Sequence, residues 1–185
     1  MKKIFLLLVC YTLLLCTAQA QTNPFITRWN LATAGSGANQ LSFGVATAGT
    51  VSYTWQEVSP GSASGSGTFD GTSLTITGLP TGATIDLSIS PTNFQRINIY
   101  NGLDRNRLTD VKQWGTTAWA SMYTAFYYCS NLNITATDVP NLAGVTDMSY
   151  MFDECPILNG PSNINSWNTS AVTKMGGMFL NADAP

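Results

Sequence analysis

The chain has 185 residues, only 10% of them charged, with eight Lys and Arg against ten Asp and Glu and no histidine. The mildly acidic balance excludes the basic stripe that nucleic-acid binding demands. The missing histidine excludes Ser-His-Asp and Cys-His triads and every His-containing zinc site.

Lys2 and Lys3 precede an apolar run from Ile4 to Leu15, and Ala18-Gln19-Ala20 then places small residues at −3 and −1 of a cleavage site. These are the three regions of a secretory signal peptide, so residues 1–20 are expected to be removed and the mature chain to begin at Gln21. The run is shorter than the ~20 residues that a bilayer span takes, and no membrane span is expected after cleavage. A lipoprotein starting at Cys16 is the competing reading, weakened because Leu15 stands where a small residue is expected. Without Lys2 and Lys3, six basic residues face ten acidic ones, a net charge of −4, and the cysteines reduce to Cys129 and Cys155. Thr, Ser, Asn and Gly supply the polar surface, which suits an extracellular β-rich protein.

Residues 21–112 alternate apolar and polar side chains. Phe25, Thr27, Trp29 and Leu31 share one parity, as do Leu41, Phe43 and Val45, then Val51, Tyr53 and Trp55. Leu74 and Ile76 follow, then Ile85, Leu87 and Ile89, and finally Ile97 and Ile99. Period-two alternation broken at Gly, Pro, Ser and Asn predicts half-buried antiparallel strands, six of them, in a small β-sandwich. Leu79-Pro80-Thr81-Gly82 predicts a turn that makes a hairpin of Ser73–Thr77 and Thr84–Ser90. Ser59 to Gly67 has nothing to bury and is expected to be a flexible loop. Parity places Trp29, Tyr53 and Trp55 in the core rather than on a sugar-stacking platform.

Residues 113–185 are a repeat. Trp119, Val145 and Val172 occupy one position, Met122, Met148 and Met175 the next, and Phe126, Phe152 and Phe179 a third, at intervals of 26 and then 27. Met151 and Met178 also share a position, and the pairs Cys129 and Cys155, Leu132 and Leu158 are each 26 apart. Intervals of three and four within a unit predict a short helical segment with one buried face. Asn-rich extended stretches follow at Asn131 to Val139 and Asn159 to Trp167. Copies in register at this period imply a solenoid whose core layers are these fifteen side chains. The fold expected is a mainly β N-terminal sandwich followed by an incomplete α/β solenoid of leucine-rich-repeat type.

Val145-Thr146-Asp147-Met148-Ser149-Tyr150-Met151-Phe152 and Trp167-Asn168-Thr169-Ser170-Ala171-Val172-Thr173-Lys174-Met175-Gly176-Gly177-Met178-Phe179 resemble the repeats of BspA-like leucine-rich-repeat bacterial surface proteins. The resemblance runs from about Val111 to Pro185; Trp119, Ala120 and Ala125 depart from it in the first copy. Residues 21–112 resemble the PKD-like or immunoglobulin-like module that precedes such repeats, without its W-G-D-G-S turn. The family implies surface display and adhesion to a protein or glycan ligand on host, matrix or neighbouring cells, with no catalytic residues and no cofactor. Ending at Asn181-Ala182-Asp183-Ala184-Pro185, inside a unit, the sequence is expected to be truncated.

No motif here carries catalysis or a metal. Glu57 and Glu154 are the only glutamates, one in each half, so no second glutamate stands near either for a glycosidase pair. Asp153-Glu154 is expected to be a solvated turn. Gly35-Ser36-Gly37 and the glycines of 61–67 lack a phosphate loop's Lys. Asp104, Asp110 and Asn101-Gly102 lack the alternating acidic ladder of a calcium loop. Asn133-Ile134-Thr135 and Asn168-Thr169-Ser170 match the glycosylation sequon, but Asn stacking along a solenoid turn is the expected role. Cys129 and Cys155, in equivalent positions, are expected to stand as a reduced ladder in preference to a disulfide, because parallel side chains do not converge. The function expected is non-enzymatic binding at the cell surface or after secretion; the alternative is an accessory carbohydrate-binding module of a larger secreted hydrolase.

Overall fold

A computed structural model describes residues 23–182. The expected signal peptide and its cleavage site lie outside the described residues. The strands are β1 (Phe25–Asn30), β2 (Gln40–Thr47), β3 (Val51–Ser59), β4 (Ser64–Phe69), β5 (Ser73–Thr77), β6 (Thr84–Ile89), β7 (Phe94–Asn98), β8 (Leu108–Gln113) and β9 (Asn133–Ile134). They form a six-stranded sheet in the order β4-β3-β6-β1-β8-β9 and a three-stranded sheet in the order β5-β2-β7. The chain is mainly β, and no helix among the described residues is long and apolar enough to cross a membrane.

The predicted parity holds for Trp29 and most of the first half, while Tyr53 and Trp55, expected in the core, are only partly buried against it. Burial alternates strictly along β1 and β6, which pair antiparallel with Phe25 opposite Ile89 and Trp29 opposite Ile85. The sheets meet across Trp29 of β1 and Phe43 of β2, whose rings stack at 5.0 Å. The buried Trp29 indole N–H donates to Thr27 Oγ1 at 2.8 Å on the same strand, so no donor is left unpaired there.

Two local expectations fail. Ser73–Thr77 and Thr84–Ser90 do not form a hairpin: β5 pairs with β2, while β6 pairs with β1 and β3 in the other sheet. The Pro80–Gly82 turn is present, with Gly82 at φ 71°, but it carries the chain from one sheet to the other. Ser59–Gly67 is not a loop throughout, because Ser64–Phe69 is a full edge strand paired with β3. Gly65 lies opposite Trp55 and Gly67 opposite Tyr53. A Cβ on either glycine would stand within 2.6 Å of the facing aromatic side chain, so the aromatics lie across the bare backbone and bury it.

Asp104 and Arg107 tie the 33–42 segment to the rest. The Asp104 carboxylate sits 3.0 Å from the Arg107 guanidinium and accepts from Ser36 N, Ser36 Oγ and Ser42 N at 2.6–2.9 Å. Arg107 donates to the carbonyls of Thr33, Gly37 and Gln40. Both side chains are buried, and the pair is hydrogen-bonded on both sides, as a buried ion pair must be.

Among the described residues of the second half no α-helix forms, contrary to expectation. The Met-x-x-Met-Phe segments are tandem four-residue turns. Ala125 N donates to Met122 O and Cys129 N to Phe126 O, with Thr124 at φ 53° and Tyr128 at φ 61°. A positive φ at the third residue is the type II turn requirement. The second copy repeats it with Tyr150 at φ 57° and Glu154 at φ 59°, and the third with Gly177 at φ 64° and Asn181 at φ 55°. A four-residue turn points its first and last residues inward, which gives the same offsets of three, four and seven as a helix face. The pattern alone therefore does not separate the two.

Amides not closing turns join one tier to the next. Met122, Thr124, Phe126 and Tyr128 donate to the carbonyls of Asp147, Ser149, Met151 and Asp153 at 2.9–3.1 Å. Met148, Tyr150, Phe152 and Glu154 donate in turn to Lys174, Gly176, Met178 and Leu180 at 2.8–3.0 Å. The first tier is seated on the sandwich. Ile99 N donates to Ala125 O at 3.0 Å and Arg96 Nη2 to Tyr123 O at 2.8 Å, the places that a preceding tier's amides would take. Parallel pairing of β8 with β9 extends the large sheet into the tiers, and a single buried cluster runs through both halves.

Candidate functional site

The structure sorts the fifteen repeat positions by tier. Trp119, Met122, Phe126, Cys129, Leu132, Val145, Met148, Met151, Phe152, Cys155 and Leu158 are all buried. Phe126 stacks on Phe152 and Phe152 on Phe179, each at 5.5 Å. Val172 and Met178 are partly buried. Met175 and Phe179 are corrected from core to surface, at 43% and 42% exposed, because no described residue packs on the outer side of the third tier. Cys129 and Cys155 are free and buried. The Cys155 thiol donates to Phe126 O at 3.2 Å, and burial pushes it up to about 12. Asp153 is not a solvated turn residue: it is buried, with Oδ1 unpartnered, and burial and Glu154 raise its carboxyl above the usual range. Asp104 belongs to the ion pair with Arg107, and Asp110 accepts from Thr135 N and Oγ1.

Two surfaces could engage a ligand. The first is a groove of about 710 Å³ on the outer face of the large sheet. Ile26, Thr54, Trp55, Gln56, Asp86 and Lys112 are among its lining. Asp86 is held by Arg28 at 2.7 and 2.9 Å and by Lys112 at 2.9 Å. Burial opposes its ionisation, but these bonds outweigh burial and keep its carboxyl below the usual range.

The second surface is a cluster of tyrosines where the first two tiers meet the segment after β7. Tyr100, Tyr123, Tyr128 and Tyr150 are 40–48% exposed, and Tyr127 lies half-buried among them. Tyr127 is 5.0 Å from Tyr100, 4.6 Å from Tyr128 and 6.4 Å from Tyr150, each edge-on. Arg105 stands 5.9 Å over the Tyr128 ring. Tyr128 and Tyr150 hold left-handed backbone, which costs an aromatic residue on the order of 1–3 kcal/mol. In the third tier the corresponding residues are Asn181 and Gly177, the types such a turn prefers. The Tyr150 ring lies over Gly177, where any Cβ would collide with it. The sequence reading missed this cluster. Its signal was four tyrosines within 28 residues at repeat positions off the apolar stripe.

The fold and these surfaces describe a β-rich stack of turns that displays an aromatic face. Residues 94–184 match the family described as Mycoplasma protein of unknown function, DUF285, and carry a domain of that type, which is compatible with a surface protein. The match begins at β7, ahead of the boundary expected at residue 112, and so takes in the strand that seats the first tier. No curated protein and no solved structure matches the chain.

Proposed function

We propose that the chain is a secreted or cell-surface binding protein without catalytic activity, exported by its first 20 residues and displaying stacked repeats of leucine-rich type on a PKD- or immunoglobulin-like sandwich. The observation that carries this reading is the exposed cluster of Tyr100, Tyr123, Tyr128 and Tyr150 on a frame that hydrogen bonds fix from Ile99 through the third tier. Tyrosine supplies large contact area at low entropic cost, and recognition surfaces are enriched in it. The strained backbone at two of these tyrosines supports a role beyond folding. The domain match at 94–184 supports surface display. Protease treatment of intact cells expressing the gene tests the location: removal of the protein without lysis is expected, and full protection would overturn it.

The alternative, a carbohydrate-binding module of a larger hydrolase, draws on the outer-sheet groove with Thr54, Gln56 and Asp86 in its lining. Glycan-array binding lost in Gln56→Ala and kept in Tyr128→Asn would favour it.

A further inference from the structure

We infer that the tyrosine cluster is a docking groove for a proline-rich segment of another protein, held in the polyproline II conformation. The inference rests on the surface-binding reading and names the partner's chemistry.

Two cavities adjoin there. One, of about 250 Å³, is lined by Tyr100, Asn101, Arg105, Tyr127 and Tyr128. The other, of about 180 Å³, is lined by Tyr100, Tyr123, Thr124, Tyr127 and Tyr150. Tyr100 and Tyr127 line both, so a single aromatic ridge divides them. Polyproline II has three residues per turn and ~3.1 Å rise per residue, so it returns apolar rings to one side about every 9 Å and can straddle a ridge. It forms no internal hydrogen bonds, so its carbonyls are free acceptors, and its prolines bring no N–H to satisfy.

The lining complements that ligand. The tyrosine hydroxyls, the Asn101 amide and the Arg105 guanidinium can donate, the Thr124 hydroxyl is given to Tyr123 O, and no carboxylate lines either cavity. A sugar would bring as many donors as acceptors and ask for carboxylates in return. It would also ask for flat, open ring faces, whereas Tyr127 meets its neighbours at 61°, 73° and 87° and walls a cleft. The ordered polyproline II chain loses little entropy on docking, which suits shallow pockets of this size.

The left-handed turn positions supply the test. Asn in place of Tyr128 relieves backbone strain while removing a pocket wall, so it leaves the fold intact and empties the groove. The purified chain is titrated with a polyproline peptide of roughly ten residues, with a Gly-Ser peptide of equal length as control, by calorimetry. Binding to polyproline alone is expected. Tyr128→Asn is expected to weaken it at least about tenfold while the melting temperature holds or rises, and Tyr128→Phe to retain part of it. No binding to polyproline, or affinity unchanged in Tyr128→Asn and Tyr127→Ala, overturns the inference. So does preference for a triple-helical Gly-Pro-Pro peptide or for a glycan. If polyproline fails but the chain is accessible on intact cells and binds another extracellular ligand, the docking proposal falls and the surface-binding reading stands.

Discussion

Phe126 and Phe152 lie 5.5 Å apart with their rings 6° from parallel, and Phe179 continues the stack at 5.5 Å beyond Phe152. The middle ring therefore has an aromatic neighbour on both faces, although the chain separates each pair by more than twenty residues. Phe152→Ala opens a cavity between two tiers and is expected to cost about 3–5 kcal/mol. Trp114 lies 6.0 Å from both Phe25 of the sandwich and Phe126 of the first tier, so the loss should reach the sandwich as well. Urea titration followed by tryptophan fluorescence checks it; an unchanged midpoint would show that the stack contributes no stability.

Asp104 and Arg107 form the buried ion pair that pins the 33–42 segment. Asp104→Ala leaves the guanidinium buried without its charge partner and is expected to destabilise by about 3–5 kcal/mol. Asp104→Ala combined with Arg107→Met should cost less than Asp104→Ala alone, because the orphaned charge goes too. Denaturation midpoints of both variants decide it.

Asp86 and Asp153 respond to pH with opposite signs. The folded state holds the Asp86 carboxyl below its ordinary value of 3.8, so its contribution is present above that value and is lost as pH falls through the depressed one. Asp86→Asn should flatten the acid limb of a stability-against-pH curve. Asp153 is raised above 3.8, so stability declines as pH climbs from there through the raised value. Asp153→Asn should therefore be more stable than the parent at neutral pH. Denaturation at several pH values between about 3 and 7 separates the two effects.

Cys129 and Cys155 should be inert in the folded protein, since both are buried and burial raises both thiols. Alkylation of Cys129 and Cys155 under native conditions is expected to be slow, and in denaturant both should react. No reactive thiol in denaturant would mean a bridge.

The strands of the first half were legible because each residue's side follows from parity: Phe25, Trp29, Ile85 and Leu87 all land in the core. Partner choice was not legible. The Pro80–Gly82 turn fits a hairpin and a sheet-to-sheet corner equally, and non-local pairing of β5 with β2 decides between them. Nor was β4, whose Ser-Gly stretch relies on Trp55 and Tyr53 across the ladder and buries only Phe69 of its own. In the repeats the register was written in Met and Phe, but the backbone was written in what lies between them. Gly177 and Asn181 are the residues that mark left-handed turn positions, and they stand only in the third copy. Tyrosine and threonine in the earlier copies hide the same conformation, and the tyrosine face was hidden with it.

Within the turns the amide ladder runs one way, whereas at the entrance to the third tier the Thr173 and Lys174 amides donate back to Thr146 O. There, Met122 to Tyr128 and Met148 to Glu154 give alternate N–H groups to the turns of the tier that follows, and the carbonyls of the first turns need donors from what comes before. Ile99 and Arg96 meet that need for the first tier from a segment synthesised earlier. Tier formation therefore has a starting edge and a direction, matching the order in which a chain emerges N-terminus first. The sandwich is a mould, and the turns are cast against it one layer at a time.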